Sequence, residues 1–390
     1  MRVAHVITRL ILGGAQENTL LCCEDLLREY GDEVLLITGP AVGPEGSLLE
    51  RGRRSGIPMR VIAPLRRPIH PWRDAAAYRR IRQTLRQFRP HVVHTHSAKG
   101  GMLGRAAAWS LGVPAVVHTV HGAPFHPYQD PATRWLYRCC ERWAARRCHA
   151  MISVADAMTD LMVEAHVAPR ETFITIDSGM EVEPYLDAGR HREQSRAALG
   201  YSPEDVVIGK VARLFHLKGH RYVIAAARQV VAEVPNARFL LVGDGRFRDR
   251  LRHRIDRAGL SDRFQFVGLV PPDRLPALFA AMDLVVHASL REGLPRVLPQ
   301  ALLAGRPVVS FDIDGAREVV DDETGCLVAP KDVGGLGRAL VRLAGDAELR
   351  RRLGQGGRRR LAERFDHRRT TAEIRALYAR LLGAEPVDPA

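Results

Sequence analysis

Lysine is nearly missing from this 390-residue chain. Four of its 58 basic residues are lysine (Lys99, Lys210, Lys218, Lys331) and the rest are arginine. So uniform an arginine bias acts as a background, and the net charge of +14 therefore says little about any one ligand. The converse is informative: a lysine kept in such a chain stands where arginine would not serve. Cysteine is scarce too, with six residues, Cys22, Cys23, Cys139, Cys140, Cys148 and Cys326. None forms a CxxC pair and vicinal cysteines rarely bridge, which argues against a zinc site or a disulfide framework and suits a reducing compartment. No run reaches the roughly 18 to 20 apolar residues that span a bilayer. Residues 1–12 are apolar but interrupted by His5 and Arg9, with no small-residue cleavage site, so they read as a strand rather than a signal peptide. A cytoplasmic location is expected. Aromatics amount to 6% and do not interleave with basic residues, so a nucleic-acid-binding protein is the weaker reading and no specific nucleic acid is expected as a partner.

What is present is ordinary globular protein, 46% hydrophobic and 26% charged, and long enough for two cores. Short apolar runs alternate with amphipathic ones along the whole chain. Strands are expected at 3–8, 33–38, 59–63, 91–95, 115–119, 150–154 and 172–176, then at 206–211, 238–242, 264–267, 283–287, 307–311 and 326–328. Helical patterns lie between them at 15–29, 73–88, 101–111, 132–147 and 156–165, then at 219–234, 246–258, 273–281 and 296–304. Continuously apolar strands alternating with helices predict an α/β protein with parallel sheets covered on both faces. The polar stretch 179–194 is the natural boundary, so the expected domains are 1–180, 181–365 and a C-terminal helix and tail, 366–390. Asp366 can cap that last helix, in which Ile374, Leu377, Tyr378 and Leu381 form one stripe. The helix either packs on the second domain or crosses back to the first.

Parallel sheets bind ligands beyond the C-terminal ends of their strands, so each strand-to-helix turn is a candidate. After the first strand, Gly13-Gly14 allows close backbone approach to a ligand at a helix N-terminus. It is not the GxGxxG of dinucleotide folds. After the strand at 206–211, Arg213 and Lys218 can converge on one anion, the arginine as a fork and the lysine as a point charge. The sequence from Lys210 to Lys218 holds two of the four lysines, which favours a phosphate over a solvated face. After the strand at 283–287, Glu292-Gly293-Leu294-Pro295 opens a helix with Pro295 near its first position. Gly293 and Leu294 would offer backbone N–H groups to a diphosphate, and Glu292 would accept hydrogen bonds from sugar hydroxyls. Gln300 stands eight residues on, about 12 Å along a helix, enough to reach a ribose.

The segment from Glu292 to Gln300 resembles the E-x7-E signature of the large retaining glycosyltransferase family 4, which has the GT-B fold. The Gly13-Gly14 loop, Arg213 and Lys218, Gly243-Asp244-Gly245, Phe266-Val267-Gly268 and Asp314-Gly315-Ala316-Arg317-Glu318 match further motifs of that family in order. The resemblance runs from about residue 3 to residue 380. It implies two Rossmann-like domains facing a central cleft and a nucleoside diphosphate sugar as substrate, UDP-linked before GDP-mannose, with no cofactor and no metal. It also implies that Arg213 and Lys218 hold the donor diphosphate and that His121 lies over the donor sugar. Same-face attack, with the leaving phosphate as base, would retain the anomeric configuration. Gln300 replaces the second glutamate of the signature, and an amide can still donate to and accept from a ribose. A nucleotide-sugar epimerase or an inverting transferase of the same fold is the alternative.

Two histidine-rich turns, His94-Thr95-His96 and His118-Thr119-Val120-His121, follow neighbouring strands and are expected to face the ligand side. No cysteine or i, i+4 histidine pair completes a metal site there. In the helix at 132–147, Leu136, Cys139, Cys140 and Trp143 form one stripe, and Arg134, Arg138, Arg142 and Arg146 another. Residues 53–89 add eleven arginines against one acid, Asp74. This helix either lies on an anionic membrane surface or packs its apolar stripe on the core with arginines in solvent. The histidine turns look most like the exopolysaccharide and capsule branch of the family, which implies a lipid-linked or saccharide acceptor and a peripheral position on the inner face of the plasma membrane.

Overall fold

The structure, a computed structural model, describes residues 1–43 and 46–383. Two compact units make it up. The first is Met1–Met180 with the segment that begins at Phe365, and the second is Glu181–Arg364.

The first unit is built on a parallel sheet of seven strands: β1 (Arg2–Arg9), β2 (Glu33–Gly39), β3 (Met59–Val61), β4 (Val92–His96), β5 (Ala115–Val120), β6 (Ala150–Ser153) and β7 (Phe173–Thr175). Their order in space is β3-β2-β1-β4-β5-β6-β7. Val3, Ala4, Val6 and Ile7 of β1 are all fully buried, which is why that strand shows no polar alternation. One face is covered by the helices Gly14–Arg28 and His367–Leu381, the other by Pro71–Phe88 and Ala98–Trp109. The second unit carries β8 (Val206–Val211), β9 (Ala237–Val242), β10 (Phe264–Gly268), β11 (Leu284–His287), β12 (Val308–Phe311) and β13 (Gly325–Val328), in the order β10-β9-β8-β11-β12-β13. Every expected strand forms, with its ends within two residues of the expected ones.

Each sheet reverses its winding once, between β1 and β4 and between β8 and β11. Loops leaving two adjacent strand ends part in opposite directions there, and the crevice between them is where such sheets bind ligands.

The last helix crosses back to the first unit. Met180 donates its N–H to Phe365 O at 2.9 Å, and the chain enters His367–Leu381 with Asp366 as its cap. Asp25 on Gly14–Arg28 accepts from His367 Nδ1 at 2.8 Å and from Thr371 Oγ1 at 2.7 Å. The stretch 179–194 is not a bare linker, because Glu183–Leu186 and the start of Arg192–Leu199 are helical. Arg192 and Arg196 bind the two oxygens of Asp283 at 2.6 and 3.1 Å, just before β11. The helices Val333–Gly345 and Ala347–Leu361 were not anticipated. The glycines within them obscure the pattern.

Candidate active site

In the second unit the loops after β8 and β11 interlock. Leu290 donates its N–H to Leu217 O at 2.8 Å, across the switch point. Gly219 has φ 67°, and a Cβ there would stand 1.7 Å from Ala288 O, so only glycine lets the β8 loop lie so close to the end of β11. These constraints bring Lys218 Nζ onto Glu292 Oε1 as an ion pair. His287 Nε2, at the end of β11, lies 3.5 Å from the same oxygen, long for a hydrogen bond but within range of its charge. Burial alone would push the Glu292 carboxyl up. The Lys218 ammonium outweighs it and, with His287, holds the carboxyl well below the usual carboxylate range. Arg213 is exposed on the loop that leads to Lys218.

The loop after β12 supports the Glu292 turn. Asp314 Oδ2 accepts the Glu292 N–H at 2.5 Å, and Gly293 O accepts the Gly315 N–H at 3.2 Å. Asp314 sits at φ 43°, a left-handed conformation that aspartate tolerates better than most residues. Gly293 and Leu294 are buried in a non-helical turn, and the helix begins only at Val297, with Arg296 as its cap. Pro295 is therefore not at the first helical position. Pro299 is the proline inside the helix, at its third residue, where an N–H has no intrahelical partner to lose. The path from Glu292 to Gln300 is not continuous helix, so the 12 Å axial reach does not apply; Gln300 is itself buried.

Sequence reasoning missed what lies beneath. Lys210 Nζ, both ring nitrogens of His220, His287 Nε2 and Ser289 Oγ are buried without a hydrogen-bond partner among the described residues. Burial first, then repulsion from Lys218, brings the Lys210 amine down to about 7. The same two causes, burial and neighbouring lysine charge, lower His220. Buried polar groups in native proteins are nearly always satisfied, so this concentration calls for water or a polar ligand. Lysine scarcity singled out Lys210, but its burial was not readable.

In the first unit, Gly13 is extended at φ 176°, a conformation open to any residue, and a Cβ there would meet only the flexible end of Gln16. Close approach therefore does not explain that glycine, and Gly14 opens the helix. The histidines divide. His118 lies on the face of the helix Ala98–Trp109, 2.9 Å from Thr95 Oγ1, and a Cβ on Gly101 would strike its ring. His94 is held on the opposite face by Tyr378 OH at 2.5 Å and Thr119 Oγ1 at 2.7 Å. Neither is a ligand-facing turn residue, contrary to expectation. His5 on β1 joins His96 on β4 (Nδ1 to Nε2, 3.0 Å), and His96 Nδ1 lies 3.1 Å from His121 Nε2. Burial lowers His5 to about 3 and His96 well below its ordinary value, so both are neutral.

The helix Pro131–Ala145 turns the other way round from a core-packed helix. Arg138 and Arg142 point inward and both donate to Ala165 O, at 3.1 and 2.9 Å, meeting the carbonyl just past the end of Asp156–Glu164. Glu141 is buried in a 2.8 Å pair with Arg105. Trp135, Leu136 and Trp143 are exposed instead, at 66%, 45% and 44%, and Arg147 stacks over Trp143 at 3.7 Å.

Residues 191–360 match the family described as glycosyl transferases group 1, and residues 13–177 match the glycosyl transferase 4-like domain. A 2-deoxystreptamine N-acetyl-D-glucosaminyltransferase of Streptomyces fradiae is 31% identical over 369 residues, 87% of this chain and 85% of the relative. The chain belongs to the glycosyltransferases. A second relative of this glycosyltransferase is the UDP-Gal:alpha-D-GlcNAc-diphosphoundecaprenol alpha-1,3-galactosyltransferase of Escherichia coli, 28% identical over 383 residues, 97% of this chain and 96% of the relative. Among solved structures, Anabaena Alr3699/HepE in complex with UDP superposes with a TM-score of 0.81 at 23% identity, covering 97% of this chain and 100% of that one. The glycosyltransferase thus has the GT-B fold, each of its two units a Rossmann-like parallel sheet. Among the described residues, no helix is long and apolar enough to cross a membrane.

Proposed function

We propose that this glycosyltransferase moves a hexosyl group from a nucleoside diphosphate sugar, a UDP-sugar before GDP-mannose, to a lipid-linked or polysaccharide-precursor acceptor, with retention and without a metal ion. The observation that carries the reading is the Lys218–Glu292 pair at the switch point of the second sheet, set over buried polar atoms that have no hydrogen-bond partner among the described residues. The UDP of the Anabaena complex and the UDP-sugar and diphosphoundecaprenol of the E. coli relative support the donor and acceptor classes.

In this reading Arg213, Lys218 and the backbone N–H groups of Gly293 and Leu294 stabilise the charge that develops on the departing diphosphate. The bond from the anomeric carbon to the phosphate oxygen breaks with its electron pair going to the phosphate. An acceptor hydroxyl attacks from the same face and passes its proton to that phosphate oxygen. Glu292 accepts hydrogen bonds from the sugar hydroxyls and His121 orients the ring. Gln300 serves the ribose, and the Gly13-Gly14 turn offers backbone N–H groups to the donor. The outward face of Pro131–Ala145 supports a peripheral position on an anionic membrane, because exposed tryptophans rimmed by arginine suit a bilayer interface.

Turnover of UDP-sugars with an undecaprenyl-diphosphate-linked acceptor in EDTA, read by the anomeric coupling of the product, tests the reading. An α-linked product from an α-linked donor is expected. A β-linked product would mean inversion, and a sugar isomer formed without acceptor would mean epimerisation. Sedimentation with phosphatidylglycerol vesicles tests the membrane position, with binding expected to weaken in Trp135→Ala and Trp143→Ala.

A further inference from the structure

Lys210 is a fully buried lysine whose Nζ has no hydrogen-bond partner among the described residues. It lies on β8, where it pairs with Leu241 of β9, and the preceding Gly209 pairs with Val285 of β11. The pleat puts its side chain on the face of Ile208, which packs with Val223 and Ala227 of the helix His220–Glu233. Charged and titratable groups face it from both sides of the switch point. Lys218 comes from the loop after β8 and Glu292 from the loop after β11. His220 opens the covering helix and His287 ends β11, and both feel the Lys210 charge. Arg291 and Asp314 stand a step further off, around Glu292. Among the described residues the carboxylate in reach of Lys210 is Glu292, and Lys218 already holds it.

A buried ammonium needs acceptors for its N–H groups, and the neutral amine avoids the cost of leaving a charge unpaired. Burial and repulsion from Lys218 therefore favour the uncharged form and bring the amine down to about 7. Two other lysines do hold carboxylates: Lys99 Nζ binds Asp74 Oδ1 at 2.6 Å, and Lys218 binds Glu292. The arginine background sharpens the contrast. An arginine in place of Lys210 could not give up its proton, so a lysine kept here fits a group that changes charge. A diphosphate that draws Lys218 away from Glu292 reverses the balance. It brings negative charge to the loops above Lys210 and leaves the Glu292 carboxylate without its cation, and both favour the ammonium.

We propose that Lys210 is a reserve cation of the diphosphate site: above neutral pH its amine is uncharged in the ligand-free enzyme and takes up a proton when a nucleoside diphosphate binds at Lys218. The trigger rests on the donor reading proposed above; the uncharged amine does not. The step is one protonation. Solvent supplies the proton, the amine lone pair accepts it, and no covalent bond to the ligand forms. Buried beneath Lys218 and Glu292, Lys210 acts on the ligand's charge through space and is a positioning residue. The empty site is thereby spared a second buried ammonium, and the filled site gains one.

With four lysines in the chain, NMR of protein labelled with 13C at lysine Cε gives a spectrum simple enough to test this, and Lys210→Met assigns the signal. Without ligand that signal should titrate near neutral pH. At pH 8, where a terminal phosphate with a second ionisation near about 6 is fully charged, saturating UDP should move it to the charged position. Calorimetry at pH 8 in buffers of differing ionisation enthalpy should read uptake of about one proton per UDP in the unaltered protein and about none in Lys210→Met. Binding raises the pKa of Lys210, so UDP affinity is full below the ligand-free value and falls as pH rises above it. The Kd should rise roughly five- to tenfold between about pH 7.5 and 8.5, and stay level in Lys210→Met. If no lysine signal of the unaltered protein titrates below about pH 9, the proposal is overturned whatever any variant does. Uptake that persists in Lys210→Met would assign the proton to His220 or His287 and overturn it as well. UDP binding with Lys210 still uncharged would overturn the proposal and leave the diphosphate reading standing. No UDP binding at all, with every lysine signal unmoved, would refute that reading and the reserve role with it.

Discussion

The most informative single substitution is Glu292→Gln, because the structure predicts opposite effects on binding and on catalysis. Without ligand, Lys218 is engaged by Glu292, so a diphosphate must compete with that carboxylate for the ammonium. Two unit charges at about 4 Å attract by about 4 kcal/mol at an effective dielectric near 20. Both side chains keep about a fifth of their surface exposed, 20% and 18%, and desolvation and screening offset most of that. A net of roughly 1 kcal/mol remains, and removing the competing charge should tighten UDP binding roughly fivefold. In the role proposed for Glu292 the variant also loses a charged acceptor for the sugar hydroxyls, so turnover of a UDP-sugar should fall by about a hundredfold or more. Calorimetric titration with UDP and initial rates with the UDP-sugar measure the two effects on one preparation. Weaker UDP binding in this variant would refute the competition, and unchanged turnover would remove Glu292 from the sugar site.

Other outcomes follow from the packing. Glu141→Ala strands the fully buried Arg105 and should destabilise the first unit by about 3–5 kcal/mol in urea unfolding, whereas an exposed change such as Glu50→Ala should cost less than about 0.5 kcal/mol. Gly219→Ala should abolish UDP binding while the chain stays folded by circular dichroism, because a Cβ at 1.7 Å from Ala288 O displaces the loop that carries Lys218. For His367, burial lowers the pKa, but the Asp25 carboxylate more than compensates and leaves it raised above 6.5. Its stabilisation is therefore complete below pH 6.5 and is lost as pH rises through the raised folded value. The urea midpoints of the unaltered protein and His367→Gln should converge as pH rises through that value.

The strands were legible because a parallel sheet covered on both faces imposes continuous apolar runs, as at residues 206–208. The switch-point loops were legible from unusual residues at strand ends: Lys218 in a chain almost without lysine, and Glu292 before a glycine. The direction a side chain takes was not. His118 lies one residue from Thr119, yet the pleat sends them to opposite faces, and only the register of β4 on β5 shows which. The two stripes of Pro131–Ala145 were visible, but not that the Ala165 carbonyl would draw the arginines inward and leave the tryptophans outside. The helix expected at 296–304 forms as Val297–Leu303, but the conformation of the turn before it was not legible. The ties from Asp314 and Gly315 hold the chain from Glu292 to Leu294 in that turn. Lys210 was marked by its rarity, while its place under Lys218 and Glu292 depends on how β8 and β11 pair.

The central claim, that the loops between β8 and β11 hold a nucleoside diphosphate through Lys218 without a metal, is tested most directly by thermal melting with increasing UDP in EDTA. A ligand that binds only the folded state raises the melting temperature with its concentration. The account predicts such a rise in the unaltered protein and one requiring roughly ten- to hundredfold more UDP in Lys218→Ala, the scale of one charge-assisted hydrogen bond. No rise in EDTA, or an equal rise in both proteins, would contradict it.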